Sequence, residues 1–266
     1  MVLHVTVLDR HGNPIEGLPS QAFHVLEDGV EQRLNFLKQD DSPSSIGLVI
    51  DRSGSMSNTA RAVNDAVLQF IKTTYVRDEF FLVDFNEHVE MISDAETLRA
   101  RLNETTTRGR TALLDALYLG ISQMRNAHNA TRILVVITDG KDNDSRYTTA
   151  EVRSILKETD VQVYAAVITE PLGMIGPRVG PNEVVDMKGL CSLNGGEAFL
   201  VQDLKDLPSV LATISADLRK QYLTGYYSAN GARNGKWRSL KIKVDVPPEL
   251  RPARVFARSG YYGLGH

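Results

Sequence analysis

Cysteine is almost missing from this sequence. Cys191 is the only one in 266 residues, which excludes an intrachain disulfide and any zinc site built from several thiolates. That usage agrees with a reducing compartment, although exported bacterial chains often lack disulfides as well. Long apolar runs are missing too. Stretches such as Ile133 to Ile137 fall far short of the ~20 residues that a membrane-spanning helix needs. Charge of one sign is nowhere concentrated: the formal net charge is −3, with both signs spread along the chain. No basic stripe exists to hold nucleic acid or an anionic membrane surface. Val2 to Val7 read as a strand and lack the charged and apolar regions of a signal peptide. What remains is a chain with 42% hydrophobic and 24% charged residues, enough apolar surface for a sizeable core.

The pattern along the chain runs β, then α/β, then β. Residues 2–9 form a strand closed by the turn Gly12-Asn13-Pro14. Phe23, Val25 and Glu27 alternate before Asp28-Gly29, and Leu34 and Phe36 alternate after it, which predicts a tight hairpin. The polar segment Gln39 to Ser45 marks a boundary. Ile46 to Ile50 then reads as a strand buried on both faces, followed by Val63, Val67, Phe70 and Ile71 at helical spacing. Further strands are expected at Phe80–Val83, Ile133–Ile137, Val161–Val167 and Ala198–Val201. Helices are expected around Leu113–Met124, Val152–Leu156, 183–191 and 207–218. Ser93 with Glu96, and Thr148 with Glu151, have the spacing of capping boxes. Pro171 to Pro181 reads as a loop. Beyond Lys220 come strands at Tyr222–Ser228, Ser239–Val246 and Arg254–Tyr261. The expectation is a doubly wound, mostly parallel α/β sheet over residues 42–221. It is inserted in a small β-sandwich made by an N-terminal arm, 1–41, and a C-terminal arm, 222–266, each too small to hold a sheet alone.

Three motifs fall at the edges of these elements. Asp51-Arg52-Ser53-Gly54-Ser55 follows one strand, Gly109-Arg110-Thr111 precedes a helix, and Thr138-Asp139-Gly140 follows another strand. Ligands of open α/β sheets gather at the carboxyl ends of strands, where the strand order reverses. Asp51, Ser53, Ser55, Thr111 and Asp139 all offer oxygen, and few of them are carboxylates. That set suits Mg²⁺, which keeps several waters and prefers hard ligands. Simpler readings exist for each motif alone: Ser53, Ser55 and Thr111 as helix caps, Asp139 as an Asx turn. The ordered trio at strand ends favours one metal site.

Together these motifs resemble the von Willebrand factor type A domain family over roughly residues 45 to 220, including its metal-ion-dependent adhesion site. The resemblance implies a Rossmann-like fold in which Ser53, Ser55 and Thr111 contact Mg²⁺ through hydroxyls, with Mn²⁺ or Ca²⁺ as substitutes. It implies that Asp51 and Asp139 act through waters or as supporting acceptors. It further implies a protein partner whose exposed Asp or Glu completes the metal's coordination; that the chain is no enzyme is expected from its lack of a catalytic base beside these serines. The flanking β arms are similar to those of bacterial proteins related to this family, which points to an exported protein whose leader lies outside this stretch. No membrane span and no nucleic-acid partner are expected.

Two other readings compete. A Mg²⁺-dependent hydrolase would use Ser53 or Ser55 as nucleophile, but none of the six histidines stands in a motif that supplies a general base. No phosphate-binding Gly-x-x-x-x-Gly-Lys loop is present either. A scaffold would use the metal only to stiffen loops. Asp142 and Asp144 are read as negative potential beside the site or as solvated, Phe85, Asn86 and His88 as near the metal face, and Tyr226, Tyr227, Tyr261 and Tyr262 as packing.

Overall fold

The computed structural model describes residues 1–169 and 184–265; the loop expected at Pro171–Pro181 lies outside them. In chain order, the first strands are β1 (Val2–Leu8), β2 (Phe23–Glu27), β3 (Val30–Gln32) and β4 (Leu34–Gln39). The α/β part follows: β5 (Ser44–Asp51), α1 (Ala60–Thr73), β6 (Glu79–Phe85), β7 (Val89–Ile92), α2 (Ala95–Arg101), α3 (Leu113–Gln123), β8 (Thr131–Thr138), α4 (Thr149–Glu158), β9 (Gln162–Ile168), α5 (Met187–Cys191), β10 (Ala198–Val201) and α6 (Leu207–Arg219). The last strands are β11 (Tyr222–Tyr226), β12 (Trp237–Val244), β13 (Arg254–Ala257) and β14 (Gly260–Tyr262). Two units result. One comprises Met1–Asp41, Ser192–Gly196 and Ala216–His266, and the other Ser42–Cys191 with Glu197–Ser215. This division falls within α6, and Ser192–Gly196, whose Asn194 bridges to Arg258, groups with the all-β unit.

The all-β unit holds two four-stranded sheets, ordered β13-β1-β11-β4 and β14-β12-β2-β3. Leu3, Val5, Val7, Tyr222 and Tyr226 from the first sheet share one core with Phe23, Val25 and Leu240 from the second, the arrangement of a sandwich. The hairpin at Asp28-Gly29 is present, with both residues at positive φ (48° and 84°). Its second arm is shorter than expected. After Gln32 the chain leaves for the other sheet, where Leu34–Gln39 pairs with β11. The strand expected over Arg254–Tyr261 is likewise two strands in different sheets. The Ser259 N–H donates to Leu193 O at 2.8 Å instead of continuing a ladder.

The α/β unit is built on one six-stranded sheet, ordered β10-β9-β8-β5-β6-β7. All pairs are parallel except β6 with β7, an edge strand too short for its pattern to announce. Every residue of β5 is buried, so both faces of the sheet centre are covered. From β5 the chain crosses to β6 on one side, and from β8 it proceeds to β9 on the other. The reversal of strand order therefore lies between β5 and β8, and their carboxyl ends flank the crevice it creates. Helix α4 begins with the expected capping box, Thr148 and Glu151 exchanging side-chain-to-backbone bonds. Helix α2 does not: its cap is Asp94, one residue later than expected, because Asp94 is the extended residue whose carboxylate accepts from Thr97 N–H at 2.8 Å. Among the described residues no helix is long and apolar enough to cross a membrane.

Candidate metal centre

Asp51 closes β5 and Thr138 closes β8. Because Ile50 lies opposite Ile137 in parallel register, the next residue of each strand faces the other. The Thr138 hydroxyl donates to Asp51 Oδ2 at 2.7 Å. The other Asp51 oxygen accepts from Ser53 N–H at 2.8 Å, an Asx turn that folds the loop back over the strand end. Ser53 Oγ and Ser55 Oγ lie 3.1 Å apart, so the alternate positions share one side of the loop. Ser53 is buried and Ser55 is exposed at the surface.

Arg52, between them, points elsewhere. Its Nε donates to Asp84 Oδ1 at 2.8 Å, and Asp84 also accepts from Arg101 at 2.9 Å. The guanidinium adjacent in sequence to Asp51 is thus directed to Asp84, which it shares with Arg101.

The second loop is laced to the first. Gly54 N–H donates to Gly109 O at 3.1 Å and Arg108 N–H to Arg52 O at 2.9 Å. Position 109 requires glycine: its φ is +78°, and a Cβ there would fall 1.4 Å from Glu87 Oε2. That carboxylate accepts from Arg110 N–H at 2.7 Å. Thr111 is then tied to the third loop from both sides. Its N–H donates to Asn143 Oδ1 at 2.9 Å, and its carbonyl accepts from the N–H groups of Asn143 at 2.9 Å and Asp144 at 3.0 Å. With Asp51–Thr138 joining the first loop to the third, each of the three loops is bonded to the other two. Asp139 forms its own Asx turn, accepting from Lys141 N–H at 3.1 Å, while Lys141 Nζ donates to its second oxygen at 2.7 Å.

All five residues expected at the site stand on these three mutually bonded loops. The cap readings do not hold for two of them: Ser53 makes no side-chain cap bond, and Ala112, not Thr111, precedes α3. The N-terminus of α3 is capped from a distance. Asp142 Oδ2 accepts from Leu114 N–H at 2.8 Å and Ser145 Oγ from Asp115 N–H at 3.1 Å. Asp144 pairs with Arg110 at 3.0 Å. Both acids therefore have structural partners, so neither is simply solvated. Phe85 and Asn86 contribute carbonyls, to Arg52 N–H and Ala112 N–H, whereas the His88 side chain is exposed. Thr138 stands in the Thr138-Asp139-Gly140 motif without a role assigned to it there, and Lys141 and Asn143 were not singled out by sequence, because each acts through a contact that no motif spacing announces.

The chemistry of the donor set is that of a hard cation. Among the described residues no group of three or more His, Cys, Asp or Glu side chains is placed to hold a metal. The oxygens here are three hydroxyls and two carboxylates. Thr111 is buried, 3% exposed. Burial pushes the Asp51 carboxyl up to about 6 against the hydrogen bonds of Ser53 and Thr138, and the charge of Asp139 adds to the rise. No Lys, Arg or His pairs with Asp51 among the described residues. These residues fit a small divalent cation that brings positive charge and accepts hydroxyl oxygens.

Residues 46–141 match the family described as von Willebrand factor type A domain. Among solved structures, the chain is similar to a von Willebrand factor type A protein from Catenulispora acidiphila, at 12% identity and a TM-score of 0.55, over 99% of this chain and 73% of that one. It is also similar to the pilus adhesin SpaC from Lactobacillus rhamnosus GG in its open conformation (10% identity, TM-score 0.52, 98% of this chain and 47% of that one). A third similarity is to proximal thread matrix protein 1 from the mussel byssus (15% identity, TM-score 0.51, 72% of this chain and 51% of that one). This chain thus spans about half the length of the last two, and at these identities the likeness is one of fold. No curated protein matches the chain.

Proposed function

We propose that the chain is a metal-assisted protein-binding module whose ion sits in the carboxyl-end crevice of the α/β unit, a reading supported by the match of residues 46–141 to the von Willebrand factor type A domain family. Ser53, Ser55 and Thr111 would hold Mg²⁺ through their hydroxyls, with Asp51 and Asp139 supporting it. The ion supplies an electrophilic coordination position that an Asp or Glu of a protein partner fills. The observation that carries this reading is the closed set of bonds among the three loops that bear these five residues, beside the point where the strand order reverses. Recognition is favoured over hydrolysis by the surroundings of the two serines. Of the five described histidines, none hydrogen-bonds Ser53 or Ser55. His24 and His128 contact the carboxylates Glu31 and Glu79, at 2.7 and 2.8 Å. A serine nucleophile needs a base within reach. An exported location, with the domain displayed to its partner, accompanies this reading and draws on the adhesin among the similar folds.

The test is calorimetric titration with Mg²⁺ of the wild type and Asp51→Ala, both confirmed folded by circular dichroism. Binding in the wild type and its loss in the variant is the expected result, and equal affinity in both would sink the proposal. Capture of partners with Mg²⁺ and with chelator then separates recognition from scaffolding. A partner set unchanged by chelation would favour a purely structural metal.

A further inference from the structure

The two carboxylates of the site are satisfied in different ways. Asp51 accepts only from neutral groups, the Ser53 N–H and the Thr138 hydroxyl. Such bonds can persist beside a cation, since they polarise the carboxylate without carrying charge of their own. Asp139 instead holds a full positive charge. Lys141 Nζ lies 2.7 Å from Asp139 Oδ2, and the pair is sheltered, with Asp139 11% and Lys141 27% exposed. The pairing does not hold the loop together by itself. The turn is closed by the Lys141 backbone N–H on Asp139 Oδ1, and Lys141 is further fixed by a backbone bridge to Val184, next to the Val185 N–H bond to Gly140 O at 2.9 Å. The ammonium is thus an addition to a turn already made, placed on an oxygen that the metal's shell would use.

Resting on the metal-binding reading above, we infer that Lys141 is an internal competitor for the divalent cation: its ammonium occupies Asp139, must yield that oxygen when the metal enters, and sets the affinity of the site below what the oxygen donors alone would give. Two like charges cannot share one carboxylate at contact distance without mutual repulsion, and the repulsion doubles when one of them is divalent. The consequence is a site that fills only where the free divalent concentration is high enough to displace its own lysine. A lysine released in this way stays beside the ion on its four-carbon stem, adding positive charge to the rim of the crevice.

The measurement is Mg²⁺ affinity by calorimetry, repeated with Mn²⁺, for the wild type, Lys141→Met, Lys141→Gln and Lys141→Arg, with Asp51→Ala as the control for the site itself. Thermal melting in chelator checks that each variant folds, and the Gln variant stands in if the Met variant does not. The inference expects Lys141→Met or Lys141→Gln to bind Mg²⁺ about tenfold more tightly than the wild type, the scale of removing one charge near a divalent ion in a water-rich setting. Lys141→Arg should stay within about twofold of the wild type, because it keeps the charge. Wild-type binding that is unchanged or weakened in both neutral variants overturns the inference and leaves the metal site standing. An absence of Mg²⁺ binding in the wild type overturns both, and Asp51→Ala binding like the wild type would move the metal elsewhere.

Discussion

Glu27 in the all-β unit and Asp51 in the α/β unit are each 2% exposed, yet they answer the cost of burial in opposite ways. Glu27 is surrounded by donors that include a cation. Tyr226 and Tyr261 donate to it at 2.7 and 2.9 Å, Ser228 adds a third bond, and Arg238 reaches it at 3.1 Å. The same guanidinium donates to the carbonyls of Asn230 and Ala232 and lies over the Tyr261 ring. Burial alone would raise the Glu27 carboxyl. The bonds from Ser228, Tyr226 and Tyr261 and the charge of Arg238 outweigh it and leave the group below its ordinary value. Asp51 has only neutral donors, and burial carries it up to about 6. A buried acid supplied with its own arginine is electrostatically complete; one supplied with hydroxyls and an amide still favours an incoming positive charge.

The largest effect that would break this comparison is at Glu27. Replacing it by Gln leaves Arg238 buried without a counterion, and breaking such a pair costs about 3–5 kcal/mol. Denaturant unfolding should register that loss in the all-β unit. The double replacement Glu27→Leu with Arg238→Met should recover much of it, since no charge is then stranded. The pH dependence has a definite sign. A carboxyl held below its unfolded value of 4.5 contributes stability that is complete above that pH and is lost as the pH falls through the lowered folded value. Wild type should therefore lose stability on acidification more steeply than Glu27→Gln, and parallel acid limbs would show that Glu27 is not the group responsible.

Asp51→Asn should behave in the opposite manner. In chelator it removes a buried charge that lacks a cation, so the unfolding midpoint of the α/β unit should hold or rise. With Mg²⁺ at about a hundred times the dissociation constant, wild type should gain about 2.7 kcal/mol and the variant little or nothing. A variant destabilised in chelator as badly as Glu27→Gln would erase the distinction between the two acids.

Only the Asp51 half of this contrast was legible in the sequence, and the reason lies in the range over which each feature acts. The strand ends at Ile50 and Ile137, and the three motifs around Asp51, Thr111 and Asp139, are local patterns whose convergence follows from the rule of strand order. The Asp28-Gly29 turn and the Thr148–Glu151 box are set within four residues, and both appear in the structure. What was hidden depends on partners far along the chain. Glu27 read as one more alternating strand residue, because its arginine is 211 positions away. Arg254–Tyr261 read as one strand because the bond from Ser259 to Leu193 leaves no local mark. Asp142 read as free charge because the helix N–H it caps lies 28 positions earlier in the chain.

The smallest expected effect sharpens this division between local and distant support within the α/β unit. Thr148 caps α4 through a bond three residues long, whereas Asn143 reaches back to Thr111 across 32 positions. Each side chain satisfies one backbone N–H, so Thr148→Ala and Asn143→Ala should each cost about 1 kcal/mol in chelator. Their consequences for the metal should separate. Loss of the Thr148 bond frays one helix start and should leave Mg²⁺ affinity at the wild-type value. Loss of the Asn143 side chain frees the N–H of Thr111 and loosens the position of its hydroxyl, so affinity should fall by about fivefold, the equivalent of ~1 kcal/mol. Calorimetric titration of the two variants side by side decides it. Equal Mg²⁺ affinities would mean that Thr111 is held by the fold at large, and that the bond between the second and third loops is incidental to the site.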